Sequence, residues 1–256
     1  MIDNHVHIGQ FADVYYDPLE VADVVMSAGM EGMAFSSTGS CGAGVEYAEI
    51  EKETAAFLSR APYAAETLSP LLWYIPDYMR QNIAVESAFG GIPYRGIKLH
   101  PYAHNWDFGD VRHMETLHGL FDFASANNLP VLIHTGNSGV DSADRFERFI
   151  AEYRGAKCIL AHCRPLDTTI KMLEKYINAY CDTSFVSPEN IRLIADAGFA
   201  NRIFFGSDFP ITHFFKNRYP NSSVGYSVSL REQYAEDTAE WEKPGSLCRE
   251  CFGVSA

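Results

Sequence analysis

The sequence predicts an α/β fold, a closed (β/α)8 TIM barrel that forms a single domain over residues 1–256. Eight short apolar runs alternate with amphipathic helical stretches, which is the pattern of repeated strand–helix units. The first and last runs begin near residues 2 and 202, so seven steps of about 29 residues separate them, close to the roughly 30 residues of a βαβ unit. No linker, charge block or low-complexity stretch divides the chain, so nothing is left over for a second domain.

Each unit opens with an apolar run and continues into a helical stretch. The predicted strands are 2–8, 32–37, 68–75, 96–100, 131–135, 157–162, 179–184 and 203–207. The predicted helices are 18–28, 45–60, 111–127, 143–153, 166–176 and 188–197, with a weaker pattern over 78–89 and a polar helical tail from residue 228 onward. Right-handed crossovers make such strands parallel, and eight units favour a closed barrel over an open sheet. A doubly wound sheet is the alternative, but the glycines of 39–44 are in the wrong order for its G-x-G-x-x-G phosphate signal.

The charge balance argues against several classes of partner. The net charge is −13, which suits neither the phosphate backbone of nucleic acid nor an anionic lipid surface. No apolar run approaches the roughly 18 residues of a spanning helix, and mean hydropathy is −0.13. The six cysteines are scattered, and no secretory leader is apparent. We therefore expect a cytoplasmic protein that acts on a small molecule, and the sequence leaves open whether it forms a homo-oligomer.

Ionisable residues stand where the predicted strands end. Five of the nine histidines and one aspartate fall there, together with a lysine: His5, His7, Lys98, His100, His134, His162 and Asp208. In a barrel of this type the carboxyl ends of all strands form one rim, and the chemistry is located at that rim. These side chains are therefore expected to lie close together.

The residue types suit a divalent metal. His5 and His7 are two apart, so on a strand both side chains point to the same face. His134 and Asp208 complete a set of three nitrogens and one oxygen, for which zinc is the first candidate and iron, manganese or cobalt also fit. Taken singly, each histidine could be a hydrogen-bonded core residue, and Asp208 could cap a helix. One metal explains the strand ends together.

The order H-x-H, Lys, His, His, Asp over strands 1, 4, 5, 6 and 8 resembles the amidohydrolase superfamily. The phrases IDNHVHI at residue 2, GIKLHP at residue 96 and GSDFP at residue 206 are similar to its amidohydrolase 2 branch. That branch includes aminocarboxymuconate-semialdehyde decarboxylase and related decarboxylases, alongside lactone and amide hydrolases. The resemblance covers essentially the whole chain.

The resemblance implies a role for each residue. His5, His7, His134 and Asp208 would hold the principal metal, and Asp208 would also accept a proton from water. His162 would be a ligand of a second metal or an acid/base residue. Lys98 stands where binuclear members carry a carboxylated lysine between two ions, so one or two ions are both open.

The implied reaction is hydrolysis of a small-molecule amide, lactone or ester by a metal-activated water, with His162 or His100 stabilising the oxyanion. The alternative is a metal-dependent decarboxylase of an unsaturated or aromatic carboxylic acid, which Arg164 would bind bidentately. Trp73 and Tyr102 are predicted to line the pocket. Arg164 could instead lie at the surface, and the aromatic residues could be loop packing.

Two further readings are less favoured. A structural metal clip without catalysis would need closed coordination, whereas a site at the barrel rim keeps a position open. The related DNase barrels also begin with H-x-H, but they have a glutamate where this chain has Lys98. A chain of net charge −13 also suits nucleic acid poorly.

Overall fold

The computed structural model of the protein describes residues 1–41, 47–76, 91–137, 139–218 and 228–239. Within these ranges the strands are β1 (Ile2–Phe11), β2 (Val14–Tyr16), β3 (Gly32–Ser37), β4 (Leu68–Trp73), β5 (Gly96–Leu99), β6 (Pro130–His134), β7 (Lys157–Ala161), β8 (Ala179–Asp182) and β9 (Ile203–Phe204). The α-helices are α1 (Pro18–Ser27), α2 (Tyr47–Arg60), α3 (Val111–Ala126), α4 (Glu147–Glu152), α5 (Leu166–Lys175), α6 (Pro188–Ile194), α7 (Ile211–Arg218) and α8 (Leu230–Ala239).

The strands form one curled sheet in the order β2-β1-β3-β4-β5-β6-β7-β8-β9, and every neighbouring pair is parallel except β1 with β2. Residues 205–209, which follow β9 and which we call the seam segment, join the sheet back to β1. The amide of Asn4 donates to the carbonyl of Phe205 at 2.9 Å, and that of His7 donates to the carbonyl of Phe209 at 2.7 Å. In the other direction, the Asp208 amide donates to the His5 carbonyl at 2.8 Å. The predicted TIM barrel is confirmed.

The first strand carries a bulge at the place where it meets the seam segment. Asp3 pairs with Met33 and Val6 pairs with Phe35, so β1 uses one more residue than β3 between the two pairs. The side-chain amide of Asn4 donates to the carbonyls of Ile2 and Phe205, both at 3.1 Å. A bulge re-aims the side chains beside it, and here it lies directly before His5.

Several elements differ from the sequence prediction. The short antiparallel strand β2 and the helix α7 are additional elements. The predicted helix 143–153 is a 3₁₀ turn, Ala143–Phe146, followed by the short α4. The eighth barrel strand has two residues instead of five because the seam segment leaves the β8 ladder and pairs with β1. Most of the glycine segment 39–44, the start of the predicted helix 45–60 and the weak helix 78–89 lie outside the described residues.

Local capping explains where helices begin on the outside of the barrel. The Asp17 carboxylate accepts from the amides of Leu19 and Glu20 at the start of α1, and Ser187 caps α6. Both helices have proline at their first position, where no amide hydrogen is needed. Among the described helices, none has both the length and the apolar character required to cross a bilayer.

Candidate metal centre and active site

Three of the predicted ligands converge at the rim of the barrel. His5 and His7 come from β1 and Asp208 comes from the seam segment, so the hydrogen bonds between these two stretches bring the residues together. The Oδ1 atom of Asp208 lies 2.9 Å from Nε2 of His7 and 3.3 Å from Nε2 of His5. One ligand atom of each residue lies within 4.8 Å of the other two, and all three residues are buried. This group could hold a metal ion.

The orientations of the two histidines fit that role. Nδ1 of His5 lies 2.7 Å from an Asp182 carboxylate oxygen, so the ring donates its Nδ1 hydrogen there and keeps a lone pair on Nε2. Nδ1 of His7 lies 3.1 Å from the Ser36 hydroxyl and 3.4 Å from the Ser36 carbonyl. In both rings Nε2 is the nitrogen that faces Asp208. Two imidazole nitrogens and a carboxylate form a donor set that suits zinc and its neighbours in the first transition row.

Asp208 is kept ionised by the imidazole rings around it. It has a φ of +58°, in the left-handed region that residues other than glycine seldom adopt. Burial alone would raise the pKa of its carboxyl group, but His5, His7 and His162 outweigh burial and hold that pKa well below its ordinary value. Asp208 is thus a carboxylate at neutral pH.

Lys98 lies inside the same group. It is buried, and its Nζ atom is 2.8 Å from Nε2 of His5. Burial and the Lys98 charge both lower the pKa of His5 well below its ordinary value, so the ring is neutral and accepts from the ammonium group. Lys98 and a metal ion therefore compete for the same lone pair.

Replacing Lys98 by methionine is expected to raise the affinity for one divalent ion about tenfold or more, since like charges a few ångström apart repel strongly even at an effective dielectric of about 20. If Lys98 is instead carboxylated on Nζ and would help to hold a second ion, the K98M variant would lose one ion per chain. Metal content by elemental analysis and Zn²⁺ affinity by competition with a chromogenic chelator separate the two results. Lys175→Met, which removes an exposed partner of Glu147, is the control.

His134 and His162 form a pair beside the three-residue group. Nδ1 of His134 lies 3.0 Å from Nε2 of His162, which in turn lies 3.8 Å from Oδ2 of Asp208. Nδ1 of His162 faces the Ser184 carbonyl at 3.2 Å, so its Nε2 atom is the acceptor in the pair. Burial lowers the pKa of His162 to about 4, although the nearby Asp208 carboxylate acts to raise it. The structure places His134 next to His162 and outside the group of His5, His7 and Asp208, and its role as a ligand stays a prediction.

Asp182 is a functional candidate that the sequence analysis missed. It is fully buried at the end of β8, where Oδ2 accepts from His5. Its Oδ1 accepts from the His162 amide at 3.0 Å, and from the Ser184 amide at 3.2 Å and hydroxyl at 2.7 Å. One carboxylate thus fixes the ring of a predicted ligand and the backbone of His162. An ionisable residue at the end of an apolar strand was the available signal, as it was at the other strand ends.

Asp182→Asn is expected to weaken Zn²⁺ binding about 10- to 100-fold, the usual effect of removing the carboxylate partner of a ligating histidine. The asparagine side chain presents a donor as well as an acceptor to Nδ1 of His5, so the ring loses its fixed tautomer. Chelator competition on the folded variant measures the change. Asp237→Asn is the control because that carboxylate is half-buried and bonds Thr212 and Gln233 instead of a candidate ligand. Equal Zn²⁺ affinity in D182N and wild type would contradict this role.

A cavity of about 680 Å³ opens above the histidines. One wall is a stack of three rings: His100 lies on His134 with ring centroids 3.8 Å apart, and Trp73 lies on His100 at 5.5 Å, each pair 12° from parallel. The structure brings the other predicted cavity residues to the same space, Arg164 and Tyr102 among them, and Tyr102 is 68% exposed at the mouth. Phe185 and Phe215 add apolar surface at the mouth.

Two polar features of the cavity were not predicted. Oδ2 of Asp141 lies 3.8 Å from Nε2 of His134, and its carboxyl group sits over Gly136, where a side-chain Cβ would come within 2.2 Å of it. Burial raises the pKa of Asp141. In addition, Nδ1 of His100 accepts from the Ala103 amide at 3.2 Å, which leaves the His100 hydrogen on Nε2.

The sequence matches the amidohydrolase family model over residues 2–240. No curated protein matches the sequence significantly. Among solved structures, that of a putative 2-pyrone-4,6-dicarboxylic acid hydrolase from Pseudomonas putida is similar at 17% identity and a TM-score of 0.59, and the match covers 100% of this chain and 98% of that one. IDCase of Metarhizium anisopliae is similar at 11% identity and 0.60, covering 98% and 94%. A 2,6-dihydroxybenzoate decarboxylase is similar at 11% identity and 0.50, covering 93% and 97%. These structures share the fold.

Proposed function

Because the chain belongs to the amidohydrolase family, we propose that it is a metal-dependent hydrolase of a small-molecule amide, lactone or ester. The observation that carries the proposal is the placement of the Asp208 carboxylate, 2.9 and 3.3 Å from the Nε2 atoms of His7 and His5 at the base of an open cavity. A carboxylate beside a candidate metal position is the arrangement that a hydrolytic water requires.

His5, His7 and Asp208 would hold the ion, and His134, which lies beside His162, is the proposed fourth ligand. Zinc is the first candidate, and iron, manganese or cobalt suit the same ligands. Such an ion supplies Lewis acidity, which polarises a carbonyl oxygen and lowers the pKa of water from about 15.7 toward about 7. Whether one or two ions bind depends on the state of Lys98.

The remaining steps belong to residues of the chain. Asp208 accepts a proton from the attacking water as the new C–O bond forms at the substrate carbonyl. The bond from that carbon to the leaving nitrogen or oxygen then breaks, and Asp208 returns the proton to the leaving atom. His100 donates from Nε2 to the developing oxyanion, since the Ala103 amide occupies its Nδ1 atom. Burial, followed by the charges of His134 and Lys98, lowers the pKa of His100 well below its ordinary value, so it donates as a neutral ring.

The cavity favours a small, flat or cyclic substrate. Its volume of about 680 Å³ lies within the roughly 300–1,000 Å³ of small-molecule pockets. The ring stack of Trp73 and His100 offers a planar wall for such a molecule. We therefore propose lactones, N-acyl compounds and esters of aromatic or cyclic acids as the substrates to examine first.

The test is turnover by the Zn²⁺-, Mn²⁺- or Co²⁺-loaded protein of lactones, N-acyl compounds, esters and aromatic acids. Ring opening or amide cleavage, followed by chromatography, supports the hydrolase. Release of CO₂ from an aromatic or unsaturated acid without hydrolysis would overturn it in favour of the lyase. Activity that is equal with and without metal after chelation would contradict the proposed metal dependence.

One observation favours the decarboxylase as a second candidate. Arg164 lines the cavity while donating to the Phe185 carbonyl at 3.5 Å, so its guanidinium is placed to bind a substrate carboxylate at the mouth. His162, deeper in the cavity, would then manage the proton that replaces CO₂ on the substrate carbon.

Arg164→Met is expected to raise KM for a carboxylate-bearing substrate about 10- to 100-fold, from the loss of ~1.5–3 kcal/mol of charged hydrogen bonding. The kcat value should change little, because the contact is made equally in the ground state and the transition state. The matched pair of an acid substrate and its neutral methyl ester provides the internal control, since the ester should be insensitive to the R164M change. Arg145→Met removes an exposed arginine that bonds Gly139 and serves as the protein control. A KM that rises equally for both substrates would rule out carboxylate recognition by Arg164.

A further inference from the structure

Behind the candidate metal centre lies a completely buried carboxylate, that of Asp3. Its Oδ1 atom accepts from the amides of His5 and Ser207, both at 3.1 Å. Its Oδ2 atom accepts from the Ser207 hydroxyl at 2.6 Å and from the Tyr234 hydroxyl at 2.9 Å. Four donors converge on one side chain that does not belong to the metal group.

These donors come from three separate parts of the chain. The His5 amide belongs to β1, Ser207 belongs to the seam segment, and Tyr234 belongs to helix α8. Asp3 therefore joins the two stretches that carry the candidate ligands, His5 on one and Asp208 on the other. The hydrogen bond from the Tyr234 hydroxyl on α8 to the Asp3 carboxylate holds this connection between β1 and the seam segment in place.

Ser207 passes this constraint to Asp208. The Ser207 hydroxyl donates to Asp3 and also accepts from the Phe209 amide at 3.0 Å. A hydrogen bond therefore links the two residues on either side of Asp208. This short turn contains the φ of +58° at Asp208. A sparsely populated backbone conformation persists only when the surrounding contacts enforce it. The hydrogen bonds between Asp3 and Ser207 are such contacts for Asp208.

Tyr234 is the part that α8 contributes. It is fully buried, and its ring meets the Phe209 ring edge-to-face with centroids 5.0 Å apart. Burial and the nearby Asp3 carboxylate raise the pKa of Tyr234 well above its ordinary value, so the hydroxyl keeps its hydrogen and donates. The tyrosine thus packs on Phe209, the residue after Asp208, and donates to Asp3, whose carboxylate also accepts from Ser207, the residue before Asp208.

We infer that Tyr234 is a positioning residue for the metal centre, acting through Asp3 and Ser207 to hold the Asp208 carboxylate opposite His5 and His7. The inference rests on the proposed metal centre and extends it to α8, the last helix of the described residues, which lies outside the eight strand–helix units. Tyr234 is not among the residues that line the cavity, so we expect its effect on the affinity for the ion and not on contact with a substrate.

The experiment is the Zn²⁺ affinity of the full-length Tyr234→Phe variant, measured by competition with a chromogenic chelator. The ring and its packing on Phe209 are retained, and the hydroxyl alone is lost. We expect the Zn²⁺ Kd to rise about tenfold, at the lower end of the effect of partners beyond the ligands. Tyr176→Phe, which removes a comparable hydroxyl-to-carboxylate bond to Glu147 at 2.9 Å on the outside of the barrel, is the matched control and should leave the Kd unchanged.

A second variant removes the other hydroxyl group that donates to Asp3. Ser207→Ala should raise the Kd at least as much as Y234F, and the double variant should be less than additive because both act through Asp3. If Y234F did not fold, S207A would be judged by the same criterion. A Kd within twofold of wild type in a folded Y234F or S207A variant would overturn the inference while leaving the proposed function intact. A wild-type protein that binds no Zn²⁺ would overturn the metal centre and this inference together.

Discussion

Replacing Asp208 by asparagine is expected to lower kcat/KM by about 10³-fold or more, within the range that general acid–base groups contribute. The substituted amide has nearly the same size and can still offer an oxygen to an ion, but it cannot accept a proton from water. The loss should therefore appear mainly in kcat. Steady-state kinetics on the best substrate of the panel, together with metal content, measure both effects.

The surroundings of Asp208 make the D208N variant informative. Its carboxylate is held against His5 and His7, while the seam hydrogen bonds use the backbone and are not altered by the change. The barrel should therefore keep its circular dichroism spectrum and cooperative unfolding. Asp23→Asn, in which a surface pair with Arg231 is lost, should keep full activity. A D208N variant with more than a tenth of wild-type kcat would show that another group takes the proton.

Replacing His7 by alanine is expected to weaken Zn²⁺ binding by more than about 100-fold. Loss of a residue that only hydrogen-bonds a metal ligand costs about 10- to 100-fold, and loss of a ligand itself should cost more. Two of the three converging atoms would remain, and activity should fall with metal content. His7 is a cleaner position than His5, because removing His5 also leaves the buried groups of Asp182 and Lys98 without their shared ring. Isothermal titration with Zn²⁺ measures the affinity.

His118→Ala is the control for the H7A variant. That histidine lies on the outside of the barrel, where its ring bonds the Tyr153 hydroxyl at 2.7 Å, so its loss should leave Zn²⁺ affinity unchanged. A rescue measurement distinguishes a lost ligand from a lost fold: excess Zn²⁺ should restore part of the H7A activity if the barrel is intact. Wild-type affinity in H7A would remove β1 from the metal site.

The barrel and its family could be read from the sequence because both depend on repeated or local patterns. Strands 1, 4, 5, 6 and 8 are apolar and have ionisable residues at their ends, and a spacing of two puts His5 and His7 on one face of a strand. The rim of a parallel barrel then brings distant strand ends together. Asp182 obeys the same rule and could have been found by applying it to the seventh barrel strand.

Other features have no local signal. The acceptor of the Tyr234 hydroxyl is 231 residues away in the chain, and nothing near either residue indicates the pairing. The orientation of His134 depends on which partner its ring finds, His162 or an ion, and periodicity does not specify a rotamer. Strand β9 is short because the seam segment that follows it forms its backbone hydrogen bonds with β1. These bonds exist only in the closed barrel.

The seam has a consequence for how the protein holds together. Its hydrogen bonds complete the cylinder, and the same five residues deliver the carboxylate that faces the two imidazoles. Closure of the barrel and assembly of the candidate metal centre are therefore one event. A molecule with an open seam would keep its seven other barrel strand pairs but would not bring Asp208 to His5 and His7. An ion held by residues of both β1 and the seam segment would bind only the closed barrel. Binding of the ion should therefore raise the free energy of unfolding of the whole barrel.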